Sequence, residues 1–146
     1  MDNLLIRALK KEDAEDVNRI YASIVKNSEK INFNRIIEEH SLAGCKASSF
    51  AAEFDGKVIG FIVSYILSGG FGIDKGAWIA LIGVDPKYMG KGIGKSMAQK
   101  IFSHYKDQGI NNVYTSVRWD SADLLSFFSG LNFDRSNFIN LHKGLE

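Results

Sequence analysis

The sequence predicts an α/β fold of the α+β kind, a mixed and mostly antiparallel sheet flanked by helices in the order β-α-α-β-β-β-α-β-α-β. Three observations predict it. Asp55-Gly56 separates two runs of strand character, the pattern of a two-residue hairpin and so of antiparallel pairing. The run from Trp78 to Val84 is almost wholly apolar, as in a central strand buried on both faces. Two later helical patterns each lie between strands, as crossovers that favour at least one parallel pair.

Leu4, Leu5 and Ile6 before Arg7 make a short first strand. Ala14, Val17, Ile20, Tyr21 and Ile24 recur at helical spacing, with Glu12 and Asp13 favourably placed at the helix start. Phe33, Ile36 and Ile37, followed by Glu38, Glu39 and His40, form a weaker helical pattern running to Gly44. Phe50 to Phe54 and Lys57 to Tyr65 are the hairpin strands. Ser68-Gly69-Gly70-Phe71-Gly72 is expected to be a mobile glycine-rich loop bordering a site. Ile93, Met97, Ile101 and Tyr105 mark a helix stopping at Gly109, a glycine C-cap. Val113 to Val117 alternates as a strand. Asp120 or Ser121 caps a last helix carrying Leu124, Leu125, Phe127, Phe128 and Leu131, and Phe138 to Leu141 is expected as a final strand.

The chain has 146 residues, 45% of them hydrophobic, enough for one domain over residues 1–146 with its own core. Its net charge is +1, with basic residues spread along the whole length, so no stripe for nucleic acid is present. The longest apolar run, Val58 to Leu67, is too short to span a bilayer, and the N-terminus lacks the pattern of a secretory signal. The single cysteine, Cys45, forms no intrachain disulfide and offers no metal cluster, so no metal is expected and a reducing cytoplasm is the simplest location.

Chemistry concentrates in Met89-Gly90-Lys91-Gly92-Ile93-Gly94-Lys95-Ser96, where the chain's only proline has just turned it from a strand and a helix begins at once. The first amides of a helix lack intrahelical partners and lie at the positive end of its dipole, so they bind anions. A phosphate loop of the form Gly-x-x-x-x-Gly-Lys-Ser/Thr fails because its first glycine would be Met89. A Gly-x-Gly-x-x-Gly fingerprint fails at Lys95 or Met97, according to where it starts.

The stretch resembles the pyrophosphate loop of the GNAT superfamily of acyl-CoA-dependent N-acyltransferases, Gln/Arg-x-x-Gly-x-Gly/Ala, at Met89 to Gly94. Val84-Asp85-Pro86-Lys87-Tyr88 supplies the usual lead-in. Met89 departs from the motif, which should weaken coenzyme A binding without abolishing it, because the grip is mainly through main-chain amides. The order of elements along nearly the whole chain is similar too, with a weak lean to the protein N-terminal alanine acetyltransferase type. A C-terminal family pattern is matched at Ser121, Leu124, Phe128, Asn132 and Phe133 in its apolar frame only.

The resemblance implies a sheet splayed between the strand ending at Val84 and the strand ending near Trp119. The pantetheine arm of acetyl-CoA would lie there along Ile82, Gly83 and Val84. Its pyrophosphate would sit on amides of Met89, Gly90, Lys91, Gly92, Ile93, Gly94 and Lys95, and Ser121 and Phe128 would border the site. It also implies acetyl transfer to a primary amine (a peptide N-terminus, a lysine side chain or a small amine) by direct attack in a ternary complex, and a homodimer through edge strands. The family's usual acid is a tyrosine where Phe128 stands, and its usual glutamate base falls at Ala80. Asp120, Ser121 and Tyr65 are the remaining catalytic candidates. Capping is the commoner role for the first two, and core packing for Tyr65, Tyr88 and Tyr114. His104, on the exposed side of its helix, and His142, near the terminus, are unconvincing bases. Residues 32–44, 68–76 and 134–140, with Phe33, Phe71 and Trp119, would shape the acceptor side. Loss of both usual catalytic groups keeps open a second reading, a non-catalytic acyl-CoA sensor or interaction module.

Overall fold

The computed structural model describes residues 3–24, 48–70 and 73–146. The predicted helix over 32–44 and Cys45 lie outside them. β1 (Leu4–Ala8), a 3-10 turn (Lys11–Asp13) and α1 (Ala14–Ile24) are followed by β2 (Phe50–Phe54), β3 (Lys57–Gly70) and β4 (Ile73–Val84). A second 3-10 turn (Pro86–Tyr88), α2 (Ile93–Asp107), β5 (Val113–Thr115) and α3 (Ala122–Gly130) complete the order. The strands form one sheet in sequence order, antiparallel except where β4 and β5 run parallel.

The hairpin turn is the one its residues demand. Asp55 and Gly56 have φ of 50° and 80°, the paired left-handed conformations that match the twist of the flanking strands. Beyond it the expected loop is mostly strand: β3 continues to Gly70, which pairs with Ile73. Ladder bonds belong to the backbone, so glycine lowers a strand's intrinsic stability without stopping it. Two expectations fail at the other end of the chain. β5 stops at Thr115, short of Val117 and Trp119, and residues 133–146 form neither helix nor strand. Phe138, Ile139 and Leu141 are exposed, and alternation alone cannot make a strand that has no ladder partner.

Each face of the sheet has its own apolar cluster. On one, Ile93, Met97, Ile101 and Tyr105 form the buried stripe of α2 and pack with Phe128 of α3 over Ile59, Ile62, Ala77 and Ile79. On the other, Val17 and Ile20 of α1 cover Ala51, Phe61 and Val63. Gly83 faces this second cluster so closely that a Cβ there would stand 2.7 Å from Phe61 Cε1. Because the Phe61 ring is itself buried, Gly83→Val should cost about 1–3 kcal/mol, read as a lowered urea midpoint at unchanged slope.

Candidate functional site

The site begins where β4 loses its parallel neighbour. β4 and β5 pair at Ala77–Val113, Trp78–Tyr114 and Ile79–Thr115, and no further. The Thr115 hydroxyl donates to the Ile79 carbonyl at 2.9 Å and closes that last rung. Beyond it Leu81 to Val84 remain paired with β3 on one side, while no strand borders them on the other among the described residues. The splay expected from Ile82, Gly83 and Val84 is therefore present, and it opens at Thr115.

A bulge sharpens the opening. Val63 opposes Leu81 and Ser64 opposes Ile79, which leaves Ala80 as the extra residue. The buried Ser64 beside the bulge is tied to the residues that precede β2 and to the core. The Ser64 amide donates to Ser49 Oγ at 3.1 Å, and its hydroxyl bonds both the Ser48 carbonyl and, at 2.7 Å, the phenol of Tyr105. Tyr105 thus serves the bulge from the core.

At the end of β4, Asp85 begins the turn to α2. Its amide donates to the Ile59 carbonyl at 2.8 Å, and its carboxylate accepts from the Lys87 amide at 3.0 Å and from Arg19 at 2.9 Å. Burial pushes this carboxyl up, but the Lys87 amide and the Arg19 guanidinium outweigh burial and hold it below the ordinary range. Gly90 and Gly92 follow with φ of 79° and 78°, a conformation that exposes successive amides to one side, and a Cβ on either would have no protein atom beyond its chain neighbours within 4 Å. Helix bonding starts at Ser96, whose amide reaches the Gly92 carbonyl at 3.0 Å. The amides of Ile93, Gly94 and Lys95 therefore have no intrahelical acceptor.

The predicted coenzyme residues divide accordingly. Gly90 through Lys95 form one continuous run of backbone at the helix start. Met89 does not join it, because its amide is turned to the Pro86 carbonyl at 3.4 Å. Lys91 and Lys95 are exposed, and the Ile93 side chain is buried in the core, so only its backbone faces the turn. Gly94 packs closely against a ring whose proximity had no signal in the sequence: a Cβ there would stand 3.1 Å from Phe127. Phe127 touches the helix start, whereas Phe128, 5% exposed, lies edge-on to Phe127 and Phe133 in the core. Sequence reasoning also gave no role to Arg19, a polar residue on α1 with no local signal of a distant partner.

The catalytic candidates differ in what surrounds them. Asp120 lies against Arg118 through two bonds of 3.0 Å at the solvent-exposed surface, and the guanidinium lowers its pKa. This pairing also replaces the capping role expected of Asp120. Ser121 occupies the N-cap position, yet its side chain makes no capping bond, and its amide donates to the Arg118 carbonyl. Tyr65 is half-buried mid-strand, in register with Trp78, and not at the end of β3 as expected. Tyr88 packs edge-on to Phe54, and Tyr114 stacks on Trp78 with centroids 4.5 Å apart. His104 is half-buried against Phe50 and bonded to Gln108, which corrects its expected exposure. No group of three metal-ligating side chains occurs among the described residues.

A cleft of about 470 Å³ runs outside β5, lined by Phe102, Tyr114, Phe133 and residues 134–138 of the predicted acceptor segment. It does not include the glycine turn. No helix among the described residues is long and apolar enough to cross a membrane.

Comparison with known proteins sets this geometry in context. An aminoglycoside N-acetyltransferase in complex with CoA is 18% identical over 97% of this chain and 94% of its own, with a TM-score of 0.80. Ard1 from Thermoplasma volcanium is 24% identical over 92% and 84%, with a TM-score of 0.75. At such identities the likeness establishes the fold. A mycothiol acetyltransferase of Amycolatopsis mediterranei (strain U-32) is 29% identical over 89 residues, or 59% of this chain, and the match spans 30% of that curated relative's length. Residues 6–133 match the acetyltransferase (GNAT) family as a whole. The chain belongs to that family and stands with it among the acyltransferases.

Proposed function

We propose that this chain moves an acetyl group from acetyl-CoA to a primary amine by direct attack within a ternary complex. The observation that carries the reading is the juxtaposition of two features: the run of amides from Gly90 to Lys95 with left-handed glycines at 90 and 92, and the open edge of β4 that leads to it. The residues fit the coenzyme. Gly90 and Gly92 leave the space that a pyrophosphate needs, and amides without helix partners supply donors for it. Ile82, Gly83 and Val84 would take the pantetheine arm along their open backbone edge, and an amide near Val84 would polarise the acyl carbonyl. Bound acetyl-CoA supplies the activated acyl carbon and a thiolate leaving group.

The protein's own part is then mainly positioning. Asp120 is held by Arg118 and Phe128 has no proton to give, so the amine proton would pass to water. A pH profile follows from this. With a lysine-type acceptor, kcat/KM should rise about tenfold per pH unit toward the amine's own pKa near 10.4, with no plateau set by a protein group near neutrality. Stopped assays from pH 6 to 9 check it; a plateau near pH 7 would reveal a base supplied by the protein.

The acceptor is proposed as a peptide N-terminus, a lysine side chain or a small amine. Relatives named for aminoglycosides, for mycothiol and for ribosomal-protein alanine support an amine without choosing among them. The deciding experiment is thiol release from acetyl-CoA against a panel of peptides, aminoglycosides and polyamines. Phenylalanine at position 128 and the pairing of Asp120 with Arg118 favour a second reading, coenzyme binding without turnover. Tight binding of coenzyme A with no product on any acceptor would select it.

A further inference from the structure

We propose that Arg19 and Asp85 are positioning residues that set the glycine turn for the coenzyme's pyrophosphate, an inference that rests on the coenzyme reading above. Asp85 joins three elements through one buried residue. Its amide is tied to Ile59 of β3, the residue left over where Ala52 opposes Gly60 and Glu53 opposes Val58. Its carbonyl accepts from the Tyr88 amide at 2.8 Å, and its carboxylate holds the Lys87 amide. Arg19 reaches it from α1 with one nitrogen at 2.9 Å, while the other donates to the Val58 carbonyl at 3.2 Å. Only residues 86–89 separate Asp85 from Gly90, so the angle fixed at Asp85 is carried directly into the run of free amides.

Charge gives the pair a second role. Asp85 is 4% exposed and ionised, and a buried carboxylate at the root of an anion-binding turn repels the anion. Arg19 pairs with it from α1, and Lys57 adds a weaker positive field. Removing the Arg19 head group would therefore loosen the turn and uncover a negative charge beneath it. Both effects act on the ligand's phosphates and leave its pantetheine arm alone.

The test compares wild type, Arg19→Met and Arg19→Lys, with Arg19→Gln as a further variant should the methionine protein fail to fold. Calorimetry measures coenzyme A binding, and initial rates are taken with acetyl-CoA and with acetyl-pantetheine, which lacks the pyrophosphate. Arg19 is 42% exposed in its side chain, so the fold should survive, as a melting curve would verify. Arg19→Met should weaken coenzyme A binding and raise KM for acetyl-CoA by about 10- to 100-fold, with kcat within about twofold and the rate on acetyl-pantetheine unchanged. Arg19→Lys, which restores the charge, should recover part of the loss. Equal losses with both donors, or coenzyme A affinity within twofold of wild type, would overturn the inference. If wild type itself binds no coenzyme A, the coenzyme reading fails first and takes this inference with it.

Discussion

Gly92→Val should weaken coenzyme A binding at least about 100-fold while the chain still folds. Gly92 has φ of 78°, and a Cβ there would find no protein atom beyond its chain neighbours within 4 Å, so tertiary crowding of the Cβ is not the obstacle. Its cost is conformational: a left-handed backbone at an L-residue is unfavourable by about 1–2 kcal/mol, and a β-branched side chain tolerates it badly. The turn would relax to negative φ and swing the amides of Gly92 and Ile93 away from their common focus. Two hydrogen bonds to a charged group, each worth about 1.5–3 kcal/mol, correspond to a loss of about two orders of magnitude or more. Calorimetric titration measures it, with Gly92→Asn as the control, because asparagine tolerates this conformation and should lose less. Unchanged affinity in the valine variant would remove the turn from the coenzyme site.

Asp13→Ala should cost about 3 kcal/mol of folding stability, a large share of the 5–15 kcal/mol typical of a domain. The Asp13 side chain is 7% exposed, accepts two bonds from Arg7 at 2.8 and 2.9 Å, and accepts the Lys10 amide at 2.8 Å. Without it, Arg7 keeps Glu53, at 3.3 Å, and the Ala8 carbonyl, at 3.1 Å, neither of which replaces the two short bonds to Asp13, and the Lys10 amide loses its acceptor. The pH dependence has a definite sign. Burial raises the Asp13 pKa, but the Arg7 guanidinium and the Lys10 amide outweigh burial, so the folded value lies below the ordinary 3.8. The unfolded chain therefore binds this proton first as pH falls. Its contribution is complete above the unfolded value and is lost as pH drops from there through the folded one. Urea melts from pH 6 to 2.5 should show wild type losing stability below about pH 4 and the alanine variant losing less over the same range.

The strands and helices were legible where local chemistry decided them. Asp55-Gly56 demanded its turn, and Ile93, Met97, Ile101 and Tyr105 fell on one buried stripe as their spacing required. Features that depend on a distant partner were not legible. Phe138 to Leu141 alternate like a strand and are not one, and Asp120, placed as a cap by its sequence, pairs with Arg118 instead. The glycine turn was readable because amides and positive φ are properties of a few consecutive residues. The β4 bulge at Ala80 was not, since a bulge exists only relative to the strand opposite.

By itself, the sequence determined the glycine turn at the start of α2, the hairpin and the apolar faces, each written in residues within one or two turns of one another. Only the tertiary structure decided that β4 and β5 part at Thr115, that Phe127 and not Phe128 meets the start of α2, and that Arg19 reaches across 66 positions to Asp85. The physical reason is the range of the interactions. Turn and helix signals act through the local backbone, whereas a splay, a ring contact and a long-range ion pair exist only once the chain has brought remote residues together.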